Sequence, residues 1–184
     1  MNQKSNKKMA LVGFVLATLC ASPALAADVH WKHMVGVITA SDDPSTDAAE
    51  NINVPVGNVK SASFAWAVRN GEAHVDLDTG RTSFEVHGLV IIGQAFSGTT
   101  GPVQSVTGTV VCNPGTQTEA PLDTPDVLID SNGNARFSGM IPGIPATCAS
   151  PVFLIRIANL SIPENPGQAR GFWIATGTEP VSRR

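Results

Sequence analysis

The chain contains no tyrosine at all. That removes one common contact residue of binding surfaces and one common catalytic acid. Charge is also scarce, at 15% of residues with a formal net charge of −3, and no Lys/Arg cluster occurs after residue 26. A nucleic-acid partner is therefore not expected, because phosphate binding needs a basic surface. No apolar run reaches the about 20 residues that a membrane-spanning helix requires, so no membrane span is expected either. The serines include no Gly-x-Ser-x-Gly and the cysteines no cysteine-protease signature, and no stretch reads convincingly as a helix.

The first 26 residues read as an export signal. Lys4, Lys7 and Lys8 form a positive start, residues 9–19 a short apolar stretch, and Ala24-Leu25-Ala26 a small-residue cleavage site. Leu19 before Cys20 argues against a lipoprotein signal. Cleavage after Ala26 makes Ala27 the mature N-terminus and leaves one β domain over residues 27–184, with an N-terminal arm at 27–33 and a core at about 60–178. The expected location is periplasmic or secreted. Loss of Cys20 leaves Cys112 and Cys148, and an even pair in an exported chain reads as a disulfide.

The segment that organises the domain runs from Glu72 to Gly93. Val75, Leu77, Phe84 and Val86 alternate with His74, Asp76, Glu85 and His87, which is the pattern of a β-hairpin laid over a core. Setting Val75 opposite Phe84 and Leu77 opposite Thr82 keeps the apolar side chains together, and then His74 faces Glu85 and Glu72 faces His87. Asn70-Gly71 reads as a tight hairpin turn. Further strands are expected at residues 34–40, 60–69, 103–112, 151–158 and 171–177. Another hairpin, around Asn132-Gly133, sets Leu128 against Phe137. Some eight or nine short strands punctuated by turns define an all-β fold, an antiparallel sandwich or barrel.

The segments VDLDTGRTSFEVHGLV (75–90), VTGTVVC (106–112), GNARFSG (133–139), CASPVFLIR (148–156) and WIATG (173–177) resemble a group of small exported bacterial β proteins without an assigned function. Together they cover most of residues 61–178. The resemblance implies an exported β domain with the cysteine pair, and it carries no catalytic residue. A fainter likeness is to the CHRD domain, whose His-x-His motif has no match here.

Three chemical constellations stand out. His74, Asp76, Glu85 and His87 on the wet side of the hairpin are a candidate divalent-metal set, to which His30 and His33 could add ligands. The plainer reading is a solvated sheet face with cross-strand pairs. Asp130-Ser131-Asn132-Gly133-Asn134 resembles the start of a calcium loop, but Ile141 stands where a bidentate Glu belongs, so a turn is expected. Trp31, in a polar arm, is the tryptophan expected to be exposed for ligand contact; Trp66 and Trp173 lie in strands. The leading expectation is a non-enzymatic β domain that binds a ligand or envelope protein, or serves a structural role, with no cofactor. The alternative is a metal-binding protein or metal-dependent enzyme using His74 and His87. A metal-free hydrolase ranks third and requires a pocket converging on a serine and a histidine.

Overall fold

In the computed structural model, residues 28–38, 55–93, 96–160 and 171–183 are described. Residues 1–26, read above as an export signal, the acidic residues 41–53 and residues 161–170 lie outside them. The described chain is all β and builds one curled antiparallel sheet with a small second sheet. The strands are β1 (Asp28–Gly36), β2 (Trp66–Ala67), β3 (Asn70–Asp76), β4 (Arg81–His87), β5 (Val90–Ile91) and β6 (Val103–Cys112). They continue as β7 (Ala120–Asp123), β8 (Val127–Leu128), β9 (Ala135–Met140), β10 (Val152–Leu160) and β11 (Trp173–Arg183). The large sheet runs β7-β6-β10-β11-β1-β3-β4-β9, with β8 also on β6, while β2 pairs β5.

The sheet curls because its concave side is the core. Trp31 of β1 packs on Phe153 of β10 at 5.7 Å between rings, and Phe153 meets Phe84 of β4, also at 5.7 Å. β10 and β4 are far apart in the sheet order, so Phe153 and Phe84 meet only across the curl. Gly108 of β6 leaves the room they need: a Cβ there would stand 2.8 Å from atoms of both Phe84 and Phe153. Trp66 and Ile91 of the small sheet join the same core. Trp66 N–H is bonded to Val37 O, and Ala62 N–H to Trp173 O, which ties the small sheet and the segment before it to the large one.

The cysteines form a Cys112–Cys148 disulfide with Cα atoms 4.7 Å apart. Asn113 reinforces it. Its N–H donates to Ala149 O, its Oδ1 accepts Ala149 N–H at 2.8 Å, and its Nδ2 donates to Thr147 O.

Four local expectations are corrected. The N-terminal arm is a central strand: β1 lies between β11 and β3, with Val29 and Trp31 buried. Trp31 is therefore not an exposed ring but 1% exposed, wedged against Phe153 and Gly177. Asn70-Gly71 is not a turn but the start of β3, and its glycine serves close packing instead. A Cβ on Gly71 would lie 2.9 Å from Glu85 O and from Met34 Cγ. Leu128 pairs with Ser105 rather than Phe137, which pairs with Phe84. Separately, β11 pairs with β1 as far as Arg183, opposite Asp28.

The central hairpin also sits in a different register. Ala73 faces Phe84, Val75 faces Thr82, His74 faces Ser83 and Glu72 faces Glu85. The chain reverses one residue earlier than the apolar pattern suggests. Asp76 Oδ1 accepts the N–H groups of Asp78 and Thr79, Gly80 N–H closes on Asp76 O, and Gly80 takes φ +76°. The resulting two-residue offset keeps every side chain on its expected face, so Val75, Leu77, Phe84 and Val86 remain inside.

Candidate functional site: the outer face of β1, β3, β4 and β9

These four strands are neighbours in the sheet, and their inward residues are apolar, so alternation sends the polar ones to one convex face. Across it, Asp28 and His30 of β1 stand beside Asp76 and His74 of β3. Glu72, His74 and Asn70 stand beside Glu85, Ser83 and His87 of β4, and Glu85 and Ser83 beside Arg136 and Ser138 of β9.

Each imidazole on this face is tied to a carboxylate. His30 Nε2 meets Glu72 Oε2 at 3.3 Å, and His87 Nε2 meets Glu85 Oε1 at 2.8 Å, with its Nδ1 3.2 Å from Asn134 Oδ1. Asp28 Oδ1, a buried oxygen without a hydrogen bond of regular geometry, lies against His74 Nε2. The rings of His30 and His74 are edge-to-face at 6.1 Å. The ladder sets Glu72 opposite Glu85 and Asp28 opposite Asp76, and an imidazole lies beside Glu72, Glu85 and Asp28.

The metal set read from the sequence is not brought together. His74 is held by Asp28, Glu85 and His87 pair with each other, and Asp76 is occupied by its own turn. The hydrogen bond from the Thr79 side chain, then the Thr79 and Asp78 N–H groups, and the nearby Arg81 charge hold the Asp76 carboxyl below its ordinary range. Among the described residues no three His, Cys, Asp or Glu side chains group for a metal ion. His33 is exposed on β1, away from the alternation of the face. Asp130 likewise serves its turn, accepting from Asn134 N–H, Asn134 Nδ2 and Asn132 N–H. Asn134 first among these donors, it too titrates below the ordinary range.

The face carries three clefts that share Glu85. One of about 230 Å³ is lined by Lys32, Asn70, Glu72, Glu85 and His87. The second, of about 150 Å³, lies between His74, Ser83, Glu85, Arg136 and Ser138. The third, of about 420 Å³, opens between Glu85, His87 and Arg136 on one side and Val127 and Leu128 on the other. Ser83 and His74 do share a cleft, yet neither Ser83 nor Ser138 forms a hydrogen bond to an imidazole among the described residues.

Sequence reasoning missed Asp28 and offered His30 only as an added ligand from the N-terminal arm; it also missed Lys32 and Arg136 as members of this face. The alternation Asp28-Val29-His30-Trp31 carried the signal for the first two, because its apolar members match the buried positions of β1. Comparison with protein-family models, with curated proteins and with solved structures finds no match for this chain. No helix among the described residues is long and apolar enough to cross a membrane.

Proposed function

We propose that the chain is an exported, non-enzymatic β domain with a binding or structural role at the cell envelope. It engages a polar ligand or an envelope protein through the outer face of β1, β3, β4 and β9. The observation that carries this reading is the convergence of three clefts on Glu85. A rigid sheet there offers carboxylate, imidazole, guanidinium and hydroxyl groups side by side, which suits recognition by hydrogen bonds and charge. The imidazoles are committed to carboxylates rather than to a nucleophile, which favours binding over acyl-transfer chemistry. Export is supported by the signal-like residues 1–26 and by the disulfide, which persists in oxidising compartments.

The test is a photo-crosslinking amino acid placed at Glu85, and separately at Gln117 in the loop after β6, in the exporting cell. A discrete adduct from position 85 that Arg136→Glu abolishes, with none from position 117, is expected. Equal adducts from both positions, or none from position 85, would sink the assignment of this face.

A further inference from the structure

The hairpin that leads from β8 into β9 splays open. Asp130 N–H closes its turn on Asn134 O at 3.1 Å, but beyond that bond β8 pairs with β6 and β9 with β4. The two strands diverge, and the cleft of about 420 Å³ lies between them. That volume is in the range of small-ligand sites, about 300–1,000 Å³. One wall is aliphatic: Leu128 is 82% exposed, and Val127 and Ala135 line the cleft beside it.

The polar rim is already paired, with one exception. Glu85 Oε1 meets His87 Nε2 at 2.8 Å, and His87 Nδ1 meets Asn134 Oδ1 at 3.2 Å. Asn134 Nδ2 donates to Asp130 Oδ2 at 2.9 Å, which holds the amide with its oxygen toward His87. Arg136 stands opposite Glu85 in the ladder. Among the described residues, however, its guanidinium forms no ion pair or hydrogen bond. His87 holds the facing carboxylate, and the guanidinium is left for an anion from outside.

We propose that this cleft binds an aliphatic monocarboxylate, with the carboxylate on Arg136 and the hydrocarbon chain along Val127, Leu128 and Ala135. The inference rests on the reading of the outer face as a binding surface, and it names the ligand of one of its clefts. A guanidinium takes a carboxylate through two parallel hydrogen bonds, and the chain covers the exposed Leu128. A sugar or a peptide would bring donors and acceptors for which the paired rim has no free partners, and such unmatched groups weaken binding. A doubly charged head group, such as a phosphate monoester, would set its second charge near Glu85 and be repelled. His87 and Asn134 are positioning residues here, because they act on the anion only by keeping Glu85 off Arg136.

Titration of the purified, disulfide-intact protein with octanoate below its micelle concentration, followed by two-dimensional amide NMR, tests this. Saturable shifts centred on residues 85–87, 127–128 and 134–136 are expected. Arg136→Gln should weaken binding about 10-fold or more, and so should replacing octanoate by octanamide, because either change removes the charged hydrogen bonds. Leu128→Ser, at a side chain already in solvent, should weaken it about 3-fold or more. Glu85→Gln should tighten binding, whereas His87→Ala, which frees Glu85 to pair with Arg136, should weaken it. A merely structural role for these two residues would not give opposite signs. Lys60→Gln, at an exposed cation outside the face, should bind as wild type. The proposal is overturned by the absence of saturable shifts, by octanamide or octyl phosphate binding as tightly as octanoate, or by Arg136→Gln binding as wild type. An adduct from position 85 in the cell without octanoate binding would keep the face as a binding surface and overturn this ligand. Loss of both would overturn both.

Discussion

Gly108 shows how one residue can set the curvature of a sheet. It lies on the concave side of β6, opposite Ile155 of β10, where Phe84 and Phe153 arrive from two other strands. A side chain of any size would have to push one ring aside, and the rings are already locked by Trp31 and Phe137. Overfilling a packed core by one methyl group costs about 1–3 kcal/mol. Gly108→Ala should therefore lower the unfolding free energy in urea by that amount, with the slope unchanged. A stability equal to wild type would mean that the rings have slack, and that the aromatic contacts do not hold the curl. Trp31 belongs to the same argument. It was readable as a ring in a polar segment, and the structure makes it a core residue because its neighbours alternate with it.

At the scale of the element, the central hairpin is governed by its turn. The carboxylate of Asp76 collects the Thr79 hydroxyl and two N–H groups, and these bonds favour its charged form. Because folding lowers this carboxyl from its ordinary value of 3.8, its contribution is complete above that value and disappears as pH falls through the folded value. The hairpin's acid sensitivity should therefore begin below about pH 4. Asp76→Asn should be less stable than wild type at neutral pH, and the difference in melting temperature should close as the pH is lowered through that window. A difference that stays constant down to the acid limit would show that the charge contributes nothing beyond the shape of the turn.

The same hairpin marks the boundary of what the sequence makes legible. Alternation fixes which face each residue occupies, so the core list of β3 and β4 was readable. A shift of two residues preserves that alternation, so the register was not, and the expected pairing of His74 with Glu85 and of Glu72 with His87 depended on it. β6 was legible to the residue, as an apolar run bounded by Pro102 and Asn113-Pro114. Gly71 was misread because a glycine that admits a neighbouring backbone and one that turns the chain look identical in sequence.

For the whole molecule, the disulfide links the end of β6 to the segment leading into β10, across a separation of 36 residues. These strands pair along nearly their full lengths and form the middle of the β7-β6-β10-β11 half of the sheet. Cross-linking a loop of this size restricts the unfolded chain by about 4 kcal/mol on the chain-entropy account. For a domain of this length that corresponds to a melting temperature lowered by roughly 10 °C on reduction. Glu119 adds a second fastening nearby. Its carboxylate accepts Asn58 N–H and Gly115 N–H, and those bonds, Asn58 first, hold it below its ordinary range. Part of the loop order should therefore survive reduction at neutral pH. The expected result for Cys112→Ser with Cys148→Ser is a cooperative transition at lower temperature, with β-sheet circular dichroism retained. An unchanged melting temperature, with the absence of the bond verified by mass, would mean that the β6–β10 ladder and the Asn113 bonds to Thr147 and Ala149 hold these strands in place without it. The support that the disulfide lends to export would remain, because it rests on the compartment in which the bond survives and not on the stability it confers.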